Sequence, residues 1–523
     1  MNGLATRSSI LRTSVVSLLF AITCAGGKAL AQANVAAAQS QETRTNQLPL
    51  SGRSPQNGSV TATQSANPGG TSSVNTLNPT VQVQGPYTGS TAGFTTQPFS
   101  GKLSLQEAVQ RGLAYNLGAV GLTQAVNQAH GQARVVRAAL LPNVTGNLQE
   151  TVQQTDLQAL GLRIASPVPG FSIPSIVGPF NFFDLRARLS QTVVDMTAWN
   201  NHKTANETLR ANQLSAQDSR DLVVLAVGGA YLQVIAAEAR VKSARAQLET
   251  ANALYRQAAE QRAVGVVAQV DVDRTQVQAL TQQQRLTSLI NDLAKQKINL
   301  ARITGLPPND QYVLTDEVPF SPAPSLSVED ALHQAFDQRA DLKAAKVQVR
   351  AAELSVSAAR SERLPSLSVN ADYGVIGVNP AQSHGTFSVT GTLRVPLWEG
   401  GRAGGSREQA TAALTQRQAE LADLKLEVEG QIRKAYLDLE AAASQVEVSQ
   451  KNVQVAKETL DLTKQRVDAG VANSVELVQS QEALSNAELD YINSVFAHNV
   501  AKLSVARNVG RAVEDLPKFL SLK

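Results

Sequence analysis

Few residues in this sequence are of a type and spacing to carry chemistry. Asp271 and Glu476 each lie six residues after a glycine, Gly265 and Gly470, and Asn473 stands three residues before Glu476. Asn followed three residues later by a carboxylate suits the start of a helix, where a side-chain oxygen accepts from a backbone N–H and negative charge is favoured. Gly400-Gly401-Arg402-Ala403-Gly404-Gly405 is glycine-rich but lacks the G-x-G-x-x-G spacing of a dinucleotide site. It follows an alternating segment and reads as a bend from strand to helix. No H-E-x-x-H, G-x-S-x-G or Walker glycine-lysine loop is present. His130, His202, His333, His384 and His498 are too widely separated in sequence to suggest a ligand cluster, and a single Cys excludes disulfide frameworks and Cys-based zinc sites. The sequence therefore predicts no enzyme, no metal site and no cofactor.

The composition agrees. Of 523 residues, 43% are hydrophobic but only 4% aromatic, and Ala and Val dominate, which suits close helix–helix contact better than thick globular cores. Residues 1–31 read as a secretory signal: Arg7 and Arg12 precede the apolar stretch Val15 to Cys24, and Ala29-Leu30-Ala31 fits a cleavage site. A rival reading makes Cys24 a lipid anchor, although Thr23 stands where a smaller residue is usual. The formal charge of +4 includes Arg7, Arg12 and Lys28 of that segment, so the mature chain carries about +1 and no nucleic-acid footprint.

Residues 32–102 are mostly Ser, Thr, Asn, Gln, Gly and Pro and are expected to be a flexible segment that does not fold alone. The remainder is an internal duplication. Leu103-Ser-Leu-Gln-Glu-Ala-Val aligns with Leu326-Ser-Val-Glu-Asp-Ala-Leu at an offset of 223, which also carries Pro142 onto Pro365. Tyr231, Gly265 and Gly305 fall on Tyr436, Gly470 and Gly510 at an offset of 205. The difference of 18 residues places an insertion in the first copy, assigned to Ala159–Pro179. Residues 103–310 and 326–510 are thus two repeats joined by a linker at 311–325, with a tail at 511–523.

Each repeat reads as an opening helix ending at its proline, two strands, a long helix and a shorter helix. Leu367, Val369, Ala371, Tyr373 and Val375 alternate with Ser368, Asn370 and Asp372, and the returning strand continues through Phe387, Val389, Gly391, Leu393, Val395 and Leu397. The hairpins are placed at 143–194 and 367–397, the first alternating less cleanly. About ten residues per strand is what a tilted membrane-spanning strand needs. The helical stretches 199–305 and 402–510 contain no proline, and Trp199 to Gly265 alone would run about 100 Å. Such helices call for coiled-coil packing. Val446, Val453, Leu460 and Val467 recur every seven residues with Ser449, Ala456 and Thr463 between them. Val241, Leu248 and Tyr255 form the matching seam of the first repeat. Val448, Val455 and Leu462 make a second stripe on nearly the opposite side, as a helix within a ring of helices requires.

Four strands cannot close a barrel, and lipid tolerates no open sheet edge. Three chains would supply twelve. At this point the sequence resembles the TolC-like outer membrane efflux protein family. The resemblance rests on the doubled helix openings and on Val395-Pro-Leu-Trp-Glu-Gly-Gly-Arg402. It rests also on the tips Arg262-Ala-Val-Gly-Val and Arg466-Val-Asp-Ala-Gly-Val, and on the helix ends Leu300-Ala-Arg-Ile-Thr-Gly305 and Val505-Ala-Arg-Asn-Val-Gly510. It implies an α+β membrane protein: a homotrimeric twelve-stranded β-barrel in the outer membrane, continued by a periplasmic α-helical coiled-coil barrel. It implies an exit duct of a tripartite efflux pump or type I secretion system. The implied partners are outer-membrane lipid, a periplasmic membrane-fusion adaptor and an inner-membrane pump of RND, ABC or MFS type. By resemblance, Gly265, Val266, Val267, Gly470, Val471 and Ala472 are tip-turn and adaptor-contact residues, and Asp271 and Glu476 are candidate acidic residues of the periplasmic entrance. Residues that latch the closed tip in some members correspond here to Val270, Val467 and Ala472, which supply no hydrogen bonds. A periplasmic coiled-coil adaptor without a pore is the rival expectation.

Overall fold

A computed structural model describes residues 58–66, 75–83, 85–91, 101–161, 174–308, 312–323 and 326–520. The expected signal segment, with Cys24, lies outside the described residues, as do residues 162–173 of the assigned insertion.

The two repeats begin alike. Ser104 and Ser327 cap helices α1 (Leu105–Tyr115) and α5 (Val328–Gln338), each side chain accepting from the backbone N–H three residues on, Glu107 and Asp330. The single opening helix expected in each repeat is two helices. Asn116 and Arg339, equivalent positions, adopt extended ψ and start α2 (Leu117–Ala138) and α6 (Ala340–Ser361). Asn116 is held there by accepting from Gly118 N and donating to the Tyr87 carbonyl. Arg339 grips Asp341 at 2.7 Å and reaches Gln431 at 3.0 Å.

The strands follow. β4 (Asn143–Asp156), β5 (Ile176–Val194), β7 (Ser366–Gly377) and β8 (Ser383–Arg394) form one antiparallel sheet in that order, leaving β4 and β8 as its edges. β5 starts inside the stretch assigned to the insertion, because Ile176 and Val177 pair with Asp156 and Thr155 beyond a bulge. Val395 and Leu397, expected on β8, lie past its end: Pro396 has no N–H to donate and the ladder stops at Arg394. Register puts one chemistry on each face. Val144, Leu148, Val152, Tyr373, Phe387, Val389 and Leu393 share a face and are 65–77% exposed. On the other face Arg186 pairs with Asp184 and Asp372, and Ser388 donates to Asp372, tying β5, β7 and β8 together. An apolar face turned outward with the polar face opposite it is the pattern of a lipid-facing sheet.

Two helical hairpins complete the repeats, α3 (Met196–Ala263) with α4 (Gln269–Thr304) and α7 (Arg402–Asp468) with α8 (Ser474–Val509). The expected seams are mostly inside: Val446, Ser449, Ala456, Leu460 and Thr463 are buried, as are Val241, Ala244, Ala251 and Ala258, whereas Val453, Val467, Leu248 and Tyr255 are half-buried. Val448, Val455 and Leu462 are about 60% exposed or more in the single chain.

Residues 32–102 are not wholly a flexible lead. β1 (Gly58–Ala66) and β2 (Asn75–Val83) pair as a hairpin, and Val81 lies so close to Gly229 of α3 that a Cβ there would meet it at 2.7 Å. Tyr87 is fully buried. The hairpin is held by packing on the helices, which low local hydrophobicity conceals. The strands β3 (Lys102–Leu103) and β6 (Val313–Leu314) pair in parallel. The tail also folds: helix α9 (Ala512–Phe519) sends Ala512 and Leu516 into the main core, with Leu222, Tyr231, Leu300, Val500 and Leu503.

That core carries buried charge. Arg507 of α8, 5% exposed, donates to Asp218 of α3 at 2.6 Å, and Asp221 accepts from Val513 N. Burial pushes the Asp221 carboxyl up to about 6 despite Arg507 and Arg339, with Asp218 acting in the same direction as burial. A carboxyl whose folded pKa is raised stabilises the fold most below its unfolded value, near 4, and that contribution is lost as pH rises through 6. Asp221→Asn is therefore expected to reduce the fall in melting temperature between pH 5 and pH 7.5, checked by thermal unfolding at both values. Asp218, whose burial pushes it the same way, leaves part of the dependence in place.

Candidate functional site

The site is built where each long helix reverses. Gly265 and Gly470 hold φ of +80° and +74°, and this left-handed conformation ends α3 and α7 and turns the chain into its partner helix. Val264 and Val266 flank one turn, exposed by about three-quarters, and Val471 follows the other at 70%. Val267 and Ala472 are half-buried. All six candidate tip residues thus lie on two short turns, of which Val266 and Val471 present apolar side chains to solvent.

The helices after the turns start differently. Asn473 caps α8, its Oδ1 accepting from Glu476 N at 3.0 Å, so the Glu476 carboxylate sits in the first helical turn. It also pairs with Arg466 Nη1 at 3.1 Å, across the hairpin. That pair is exposed and contributes at most about 1 kcal/mol. Ala268 begins α4 without a side-chain cap. Asp271, in the first turn, accepts from Ser474 Oγ of the other hairpin and lies 3.5 Å from Arg274. The two tips are joined again where Gln257 Nε2 donates to Asp468 at 2.9 Å.

Val270 is 55% exposed and Val467 and Ala472 are half-buried, and none supplies a side-chain hydrogen bond. At the tips, polar links between the hairpins come instead from Asp271–Ser474 and Gln257–Asp468. These partners were missed in the sequence because each joins residues more than 200 positions apart. Arg466–Glu476 had a signal: the two lie four residues before and six after the same glycine, where an antiparallel hairpin brings them together.

The geometry is a pair of helical hairpins with polar-linked tips, rising to four strands with an apolar outer face. These features define a class of membrane channel protein, anchored by strands and extended by helices. The sequence pattern of the family described as outer membrane efflux protein matches residues 122–306 and 331–503. The chain belongs to that family. It is an outer-membrane efflux channel, and its family is one of transport proteins. It is similar to outer membrane protein TolC of Vibrio cholerae serotype O1, 25% identical over 58% of this chain and 73% of that protein. It is also similar to the pyoverdine export outer membrane protein OpmQ of Pseudomonas aeruginosa, 23% identical over 74% of this chain and 81% of that protein. Among solved structures, the CmeC outer membrane channel of Campylobacter jejuni superposes with a TM-score of 0.68 over 80% of this chain and 88% of its own, at 17% identity. VceC of Vibrio cholerae superposes with a TM-score of 0.66 over 78% of this chain and 96% of its own, at 18% identity.

Removal of the Asn473 cap leaves Glu476 N without its acceptor. Asn473→Ala is expected to cost about 1 kcal/mol of local stability at the start of α8, seen as faster amide hydrogen exchange over Ser474–Leu477 with the upper part of α8 unchanged.

Proposed function

We propose that three copies of this chain close head to tail into one duct, which passes small molecules, drugs or proteins from a periplasmic assembly to the exterior. The observation that carries this reading is the pair of free edges. The sheet ends on β4 from the first repeat and β8 from the second, so β8 of one copy can pair with β4 of the next. Twelve strands from three copies give a closed, even-numbered barrel with no backbone group left unpaired in lipid. The helices repeat the logic. Within a chain α3 packs on α8, while α4 and α7 are the outer members. α4 exposes Val270, Val277 and Leu280 and α7 exposes Val448, Val455 and Leu462, apolar stripes whose burial needs another copy. The expected second seam of α7 is thereby given a partner.

The ring is a heterologous one, each copy using one edge from each repeat. Outside it, the apolar strand faces meet outer-membrane lipid. At the far end, Val266, Val267, Val471 and Ala472 are the surface offered to a periplasmic adaptor, which joins the duct to an inner-membrane pump of RND, ABC or MFS type. That pump supplies the energy, so this chain needs no cofactor and performs no catalysis. Asp271 and Glu476, repeated three times at the tips, would line the entrance with carboxylates and favour cations.

Two measurements test this. Native mass spectrometry of the purified protein is expected to give three chains, and Val448→Asp with Val455→Asp to shift it toward monomer while helical circular dichroism is retained; a monomeric parent protein sinks the proposal. In planar bilayers Glu476→Ala is expected to reduce the cation-over-anion permeability ratio by about twofold or more, and an unchanged ratio leaves Glu476 only its role at the helix start.

A further inference from the structure

The chain has two tryptophans, Trp199 and Trp398, and each is followed four residues later by a cation, Lys203 and Arg402. Both stand where a strand pair hands over to a long helix. Trp398 is 88% exposed between the end of β8 and the start of α7, next to the still more exposed Leu397. Trp199, 49% exposed, lies in the first turn of α3. Thr197, Ala198, Asn201 and Thr204 turn the other side of that helix into the protein. Met196, Trp199 and Lys203 share its free side, and Val194 leads into it from β5, in register with Leu367 and Leu393. Exposed valine, methionine and tryptophan in succession continue the apolar outer face of the sheet, not its charged inner face.

The two cations are in different states. Arg402 donates to both carboxylate oxygens of Glu399, at 2.9 and 3.0 Å, and approaches Glu362. Lys203 forms no ion pair among the described residues, and its Nζ lies 5.5 Å from the centre of the Trp199 ring. Glu207, one turn further from the sheet, is not paired with it, and Asp195 is engaged in capping Ala198 N at 2.9 Å. Side chains on a helix lean toward its N-terminus, so the lysine reaches up toward the sheet while its carbons cover the indole. The ammonium thus ends near the level of Trp199, about 5 Å below the start of α3. A headgroup layer about 5–7 Å thick per leaflet spans that depth.

The surroundings favour an anion. Arg137, Arg360 and Arg363 are exposed at the same end of the sheet. The connections at its other end, 157–175 and 378–382, contain one cation in their sequence, Arg163. Of the nearby acids, Glu362 is buried and Glu399 is taken by Arg402. Tryptophan prefers the membrane–water interface, and a lysine beside it attracts anionic lipid. We propose that Trp199 and Lys203 form a binding site for an anionic phospholipid headgroup of the periplasmic leaflet. The Lys203 ammonium faces the phosphate, and the indole lies against the glycerol and the upper acyl chain. This inference rests on the membrane position given to the sheet above. Trp398 meets the same interface without a lipid preference, because its cation is already neutralised.

The two tryptophans supply the test, because either can be read alone. Full-length protein is reconstituted in phosphatidylcholine vesicles carrying equal fractions of brominated phosphatidylglycerol or brominated phosphatidylcholine, and quenching of tryptophan fluorescence is measured. In Trp398→Phe, which leaves Trp199, phosphatidylglycerol is expected to be preferred about fivefold over phosphatidylcholine. Lys203→Gln in that background is expected to abolish the preference, and Lys203→Arg to keep it. In Trp199→Phe, which leaves Trp398, the two lipids are expected to quench alike. Equal quenching by the two lipids at Trp199, or a preference that survives Lys203→Gln, overturns the proposal. So does quenching at Trp398 with none at Trp199. Quenching absent at both tryptophans overturns the membrane reading as well. Circular dichroism confirms that each variant is folded.

Discussion

Hydrocarbon offers no hydrogen bonds, and that constraint governs the strand part of this chain and everything below it. Each unpaired backbone group in lipid costs several kcal/mol. A four-stranded sheet whose outer residues are apolar therefore cannot stand in a membrane with β4 and β8 open. Its other face carries Arg186, Asp184, Asp372 and the Ser388 hydroxyl, which link β5, β7 and β8. Closure through further copies, as proposed, would satisfy both edges. The helices inherit the geometry, since each strand pair delivers its chain to the start of a long helix at Met196 or Arg402.

Small residues make the helical part workable. Ala244, Ala251 and Ala258 on α3, and Ser449 and Ala456 on α7, recur every seven residues and are buried, so backbones approach closely along a narrow line. A narrow line leaves the remainder of each helix free. On α3 that remainder is partly polar even where it meets α8: Ser243 and Gln247 bond Glu488, and Arg240 bonds Asn493. The seam between the two hairpins thus mixes these polar links with apolar contacts such as Leu254 with Leu477, and the seam within the second hairpin includes the buried Ser449–Ser494 pair.

Periodicity made the long elements legible. Period-2 alternation located the second strand pair, and seven-residue repeats with proline-free stretches located the four long helices. Composition failed where tertiary contacts decide. Residues 58–83 contain few large apolar side chains, yet Val60, Val81 and Val83 suffice because the helices supply the rest of the core. The break at Asn116 had a local cue, since Asn is a good capping residue. Arg339 had none: its conformation depends on Asp341, Gln431 and the Asn508 carbonyl. At the tips, the glycines and the Asn473 cap could be read locally, whereas Ser474 and Gln257 meet partners from another hairpin and could not.

The duplication also explains why the two halves are not equivalent in chemistry. A repeated unit that packs against its own copy must still connect to it, and the connecting chain can cover only one copy. Here residues 312–323 lie over the first repeat through Tyr312 and Asp316 and then pass to the second with Phe320 and Ser321. The second repeat ends instead in α9, whose Ala512 and Leu516 fill the core shared with α3. Equivalent tyrosines thus have different surroundings, the Tyr231 hydroxyl bonded to Asp316 and Leu103 and the Tyr436 hydroxyl buried without a hydrogen-bond partner. Asymmetry of this kind follows from chain connectivity alone, and a duplicated sequence gains a distinct surface without adding an element.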